Sequence, residues 1–141
     1  IEDPHNFGAI IRSCEAFGVD AIIIPNDRSV DITGTVVKAS VGTIEKVKII
    51  KVTNLNNTIK KLKDYGYWVV GTDMEGTVYT NIDYKMKTSL IIGNEGKGIS
   101  RLVSENCDYL AKIPMSGTVN SLNASVACGI FLAEINRSRG V

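Results

Sequence analysis

Short apolar runs alternate along this chain with longer segments of helical period. The runs at 21–24 (Ala-Ile-Ile-Ile), 47–52, 68–72, 89–93 and 109–113 are strand-sized and rich in β-branched residues, which predicts strands there. Between them, 8–17 places Ile10, Ile11, Cys14 and Phe17 on one side and stops at Gly18, whereas 54–65 opens on a capping Asn54 and stops at Gly66. Two further helices are predicted at 98–106 and 123–139. The last is apolar almost all round, from Ala124 to Ile135, and therefore needs cover on several sides, from the fold or from a second subunit. Continuously apolar strands, each followed by a helix, call for a parallel sheet covered on both faces, so the fold class is α/β. Residues 74–88 carry the weakest pattern and predict a short helix and loop. No repeat, low-complexity tract or linker interrupts the pattern, and 1–141 reads as one domain.

Three polar segments break the apolar rhythm where strands end or helices begin: Asp3-Pro-His-Asn-Phe-Gly-Ala-Ile-Ile-Arg12-Ser13, Gly93-Asn-Glu-Gly-Lys-Gly98 and Ile113-Pro-Met-Ser-Gly-Thr-Val-Asn-Ser-Leu-Asn-Ala-Ser125. Unpaired backbone groups are available to a ligand at such junctions. The glycine segment leaves a strand and enters a helix, yet it is neither the dinucleotide G-x-G-x-x-G nor the P-loop G-x-x-x-x-G-K-[ST]. Taken singly, each polar residue has a structural reading beside the functional one. Glu95 suits a helix N-terminus as well as a hydroxyl or Arg12. Asn6 suits an N-cap. Arg12, among apolar neighbours, needs either a structural ion pair or an anionic ligand. Ser121-Leu-Asn123 delivers two polar side chains to the head of an apolar helix, where capping needs only one. His5, the sole histidine, sits beside Pro4 and reads as a surface residue; no catalytic triad or metal-ligand spacing is evident.

Composition narrows the partners. The formal net charge is +1, so any nucleic-acid contact must be a local patch; Lys60, Lys61 and Lys63 read as a solvated helix face. Three scattered cysteines in apolar settings form no disulfide framework, which makes the cytoplasm the expected compartment. No apolar run reaches the roughly 18 residues of a membrane helix. The first polar segment begins at once, with no strand before it, from which a missing upstream strand and a leading domain are expected.

In this order, the three segments resemble the three motifs of the SpoU, or TrmH-type, RNA ribose 2′-O-methyltransferases of the SPOUT superfamily, across nearly the whole chain. Val37-Lys-Ala-Ser-Val-Gly42 and Trp68-Val-Val-Gly-Thr-Asp73 are similar to the RlmB-type branch, which modifies a guanosine of 23S ribosomal RNA. The resemblance implies an α/β-knot with a C-terminal trefoil, a homodimer, an upstream RNA-binding domain, and S-adenosyl-L-methionine as the methyl donor without a metal. It also implies that Thr72, Gly93, Ile113, Met115, Leu122 and Asn123 hold that donor, and that Asn6, Arg12, Glu95, Ser121 and Asn123 form the reaction centre. Transfer RNA is the alternative substrate. A non-catalytic RNA-binding subunit and a doubly wound nucleotide-binding enzyme are the rival readings.

Overall fold

The computed structural model describes residues 4–26, 32–39, 46–93, 98–119 and 122–141. In chain order the elements are α1 (Pro4–Ala16), β1 (Ala21–Pro25), β2 (Ile32–Lys38), β3 (Lys48–Val52), α2 (Leu55–Asp64), β4 (Trp68–Val78), β5 (Thr88–Gly93), α3 (Arg101–Asn106), β6 (Tyr109–Lys112) and α4 (Ala124–Ser138). The strands form one sheet in the order β3-β1-β2-β5-β4-β6. Its side chains alternate between two apolar clusters, as the pleat requires. Ile22, Val36, Val70 and Leu90 pack with Ile10 of α1 and Phe131 and Leu132 of α4. Their neighbours Ile23, Val37, Val69 and Ile91 pack with Ile59 of α2 and Val103 of α3. The sheet is thus covered on both faces, and each such buried aliphatic side chain contributes about 1.5–3 kcal/mol.

The α/β class and the expected helices are present, with two corrections. The sheet is mixed rather than parallel: β1–β3, β4–β5 and β4–β6 are parallel, but β2 runs antiparallel to both β1 and β5. The apolar-run criterion missed β2, whose Ile-Thr-Gly-Thr-Val-Val-Lys buries the polar Thr35 and Lys38. The connection between β1 and β2, residues 26–31, is too short for the crossover that parallel strands need, so the pair is antiparallel. Second, residues 74–78 continue β4, and only Tyr79–Asn81 makes a 3₁₀ turn in the segment expected to be helix and loop.

Polar groups buried with β2 are satisfied. Thr35 Oγ1 lies 2.6 Å from Ser89 Oγ, and Lys38 Nζ donates to the carbonyls of Phe17 at 2.6 Å and Gly18 at 3.1 Å, just past the end of α1. Burial lowers the Lys38 pKa, helped by nearby Arg139 and opposed by Asp20. Gly18 and Gly66 end their helices at φ +71° and +91°, as a left-handed stop requires.

Cys14 of α1 and Cys128 of α4 are fully buried and in contact; the Cys128 hydrogen bond, followed by burial, raises the Cys14 pKa far above the usual thiol range. Burial, with Asp108, pushes Cys107 up to about 12. The reactive thiolate form of Cys107 is correspondingly scarce near pH 8. Native protein is therefore expected to leave these three thiols unmodified by an aromatic disulfide reagent at pH 8 and to react fully once denatured. Rapid native labelling of Cys14 or Cys128 would contradict the packing of α1 on α4.

Candidate functional site

The parallel strands β4, β5 and β6 end at one edge of the sheet, the position at which open α/β sheets bind ligands. Each leaves that edge irregularly. In β4 the pairing with β6 breaks after Thr72 and resumes at Thr77 opposite the same Ala111, so 73–76 bulge outward. Gly76 within the bulge presses on β6: a Cβ there would stand 2.5 Å from the Leu110 carbonyl oxygen. β5 ends at Gly93, where a Cβ would stand 2.9 Å from the carbonyl carbon of Gly98, itself at φ +69°. The two ends of the glycine segment therefore meet, and only residues lacking Cβ atoms permit that approach. β6 runs into Ile113, half-buried against the cluster under α1 and α4.

Thr72, Gly93 and Ile113 accordingly share the carboxyl edge of the sheet. Met115 and Leu122 are half-buried in the segment leading to α4. Asn123 is the N-cap of that helix, its Oδ1 accepting from the Ser125 N–H at 2.8 Å and from the Ser125 hydroxyl at 2.5 Å. Its side-chain NH2 takes no part in this cap. Asn123→Ala is expected to destabilise the fold by about 1 kcal/mol in urea, while Asn123→Ser retains most of the cap. Equal stability of the alanine variant and wild type would contradict that role.

Asn6 is half-buried in the first turn of α1, not at its cap as the structural reading had it. The helix opens at Pro4, where the missing N–H costs nothing. Arg12 lies almost two turns further on and is exposed; none of the ion pairs among the described residues includes it. α1 packs on α4 through small side chains: Cys14 meets Cys128, and a Cβ on Gly129 would stand 3.7 Å from Ser13 Oγ. Asn123 is less than two turns of helix from that contact, and Arg12 less than one. Glu95 and Ser121 lie outside the described residues, as do 40–42 of the Val37–Gly42 segment.

A cleft of about 330 Å³ elsewhere, lined by residues including Asp20, Lys48, Ile50 and Tyr67, contains none of the expected site residues. Among the described residues no group of three or more His, Cys, Asp or Glu is placed to hold a metal ion, and no helix is long and apolar enough to cross a membrane.

Similarity to known proteins agrees with this geometry. The SpoU rRNA Methylase family matches residues 1–133. A Staphylococcus aureus protein named for the TrmH family of tRNA/rRNA methyltransferases is 54% identical over 140 residues, which are 99% of this chain and 56% of that protein. The chain thus spans about half the length of the curated relatives it matches. Among solved structures, the A. aeolicus TrmH/SpoU tRNA modifying enzyme superposes with a TM-score of 0.82 at 34% identity, covering 99% of this chain and 72% of that one. The SpoU methyltransferase AviRb from Streptomyces viridochromogenes, solved in complex with AdoMet, gives a TM-score of 0.78 at 29% identity over 97% of this chain and 56% of that one. Matched over residues 1–133, the chain belongs to the SpoU rRNA methylase family.

Proposed function

We propose that this chain is the catalytic domain of an S-adenosylmethionine-dependent RNA methyltransferase that modifies a ribose 2′-hydroxyl, with a guanosine of 23S ribosomal RNA as the substrate. The family match over residues 1–133 carries the reading. The residues are of a suitable kind: half-buried apolar Ile113, Met115 and Leu122 on the segment from β6 to α4, and half-buried Thr72 on β4, suit a ligand with a flat ring at one end and a charged amino acid at the other. When bound, S-adenosylmethionine supplies a methyl group already activated by a positively charged sulfur, so the protein has chiefly to orient and deprotonate the nucleophile.

In this reading the exposed Arg12 guanidinium binds the RNA phosphate and stabilises the charge developing on the sugar oxygen. A guanidinium holds its proton near neutral pH, so it is no base, and the 2′-hydroxyl proton passes to a neighbouring acceptor or water. Asn6, Glu95 and Ser121 complete the polar set, and Asn123 both caps α4 and steadies the donor. The trefoil knot, a homodimer that covers the apolar α4, and a cytoplasmic location belong to the same proposal.

Calorimetry with S-adenosylhomocysteine, NAD and ATP separates this reading from a doubly wound nucleotide-binding enzyme. Heat from the first ligand alone is expected, and binding of NAD or ATP in its place would contradict the proposal. Similarity to a tRNA modifying enzyme at 34% identity favours transfer RNA as the second reading. Methylation of tRNA and not of a 23S transcript would establish it.

A further inference from the structure

The opposite edge of the sheet, where β4, β5 and β6 begin, carries a cluster that the proposed reaction does not use. Trp68 is 42% exposed and its ring lies 5.9 Å from that of Tyr109, tilted by 35°. Tyr65, just past α2, is 73% exposed. The Lys87 ammonium sits 5.5 Å from the centre of the Tyr67 ring and 3.4 Å from the Tyr65 carbonyl, while the Lys87 carbonyl accepts from the Trp68 N–H at 2.8 Å. Lys63 reaches the same edge, donating to the Asn106 carbonyl at 3.2 Å with its ammonium 3.5 Å from the Asp108 carboxylate. That carboxylate is itself held in place by the Val69 N–H at 2.7 Å.

We infer that this edge is a second contact surface for RNA, taking a single-stranded stretch by stacking bases on Trp68 and Tyr65 while Lys63 and Lys87 meet its phosphates. The inference rests on the proposed activity for its choice of nucleic acid. Exposed aromatic rings interleaved with cations are how unpaired strands are bound, because every base has a flat face and every linkage a charge. Protein interfaces, by contrast, are depleted in lysine. With a net charge of only +1, the chain has no general field for a polyanion, so a local patch must do this work. Asp108 and Asp64 reduce the charge here without cancelling it, since Lys61 shares the last turn of α2 with Lys63. Six-residue β5 separates this edge from Gly93 by about 20 Å, so the two surfaces would engage different parts of one RNA.

Trp68 is the only tryptophan in the sequence, which allows a direct test. The full-length protein and its Trp68→Phe variant are titrated with a single-stranded oligouridine of about 12 nucleotides and with a duplex RNA of equal length. The emission contributed by Trp68 is expected to be quenched by the single strand and little changed by the duplex. Trp68→Ala should weaken single-strand binding about tenfold. Lys87→Gln should lower the slope of log affinity against log salt by about 0.7. S-adenosylhomocysteine affinity should be unchanged in both variants, and KM for RNA should rise with kcat preserved. Wild-type affinity and salt dependence in these variants, with unquenched Trp68, would overturn the inference while leaving the methyltransferase reading intact. Quenching without any methyl transfer would support the surface and refute that reading.

Discussion

Replacing Arg12 with alanine is expected to lower methyl transfer to RNA by at least about a thousandfold while leaving the affinity for S-adenosylhomocysteine within about twofold. The split follows from where Arg12 stands. It is exposed on α1, outside the ion pairs among the described residues, whereas the residues proposed to hold the donor sit at the carboxyl edge of the sheet and at the head of α4. An exposed side chain with no ion pair among the described residues can be removed with little effect on folding. Arg12→Lys keeps the charge but loses the planar fork, so it should recover only part of the rate. Unchanged turnover in Arg12→Ala would remove both the phosphate and the alkoxide role.

Arg139→Ala is expected to destabilise the fold by about 3 kcal/mol, read as a lower urea midpoint at constant slope. This arginine follows the last residue of α4 and turns its guanidinium inward. It donates to the Tyr84 carbonyl at 2.8 Å, to the Lys38 carbonyl at 3.2 Å, to the Met86 carbonyl, and to Thr88 Oγ1 at 3.3 Å. One side chain thus ties the end of α4 to β2, to the loop entering β5 and to β5 itself, and its removal takes a charged donor from partly buried acceptors in all three. Arg139→Lys should lose nearly as much, since a single ammonium cannot reach acceptors spread around a planar fork. A midpoint like that of wild type would show that these contacts add nothing to stability.

The two arginines also show what the sequence disclosed. Arg12 stands out in the sequence because it lies in a motif whose neighbours have recognisable chemistry. Arg139 does not, since its partners are backbone carbonyls 53 to 101 residues away and the Thr88 hydroxyl, and nothing in its sequence surroundings announces them. The same distinction runs through the fold. Helix ends were legible where the signal is local: Asn54 caps α2 through the Asn57 N–H, Asn123 caps α4, and Gly18 and Gly66 stop their helices. Strand β2 was hidden because its burial depends on long-range partners, Ser89 for Thr35 and the end of α1 for Lys38. With β2 unseen, the strand-then-helix rhythm implied a wholly parallel sheet. Asn6 falls in the first turn of α1 because the helix opens two residues earlier, at Pro4.

In the candidate site, the family resemblance named Thr72, Gly93 and Ile113, and the parallel register of β4, β5 and β6 sets all three towards the carboxyl ends of those strands. The aromatic pair Trp68–Tyr109 was out of reach. The residues are 41 positions apart in the sequence, and only the register that sets Val70 against Tyr109 brings the rings together.

The measurement that bears most directly on the central claim uses methyl-labelled S-adenosylmethionine, the full-length protein and an unmodified 23S ribosomal RNA transcript, followed by alkaline hydrolysis. Alkali cleaves RNA through the free 2′-oxygen, so a methylated ribose survives as an uncleaved dinucleotide. The label is expected in that alkali-stable dinucleotide, with guanosine at its 5′ position, and absent when Arg12→Ala replaces the wild type. Label recovered in mononucleotides, where only a base can carry it, or no transfer to 23S RNA or tRNA by protein that binds S-adenosylhomocysteine, would contradict the account.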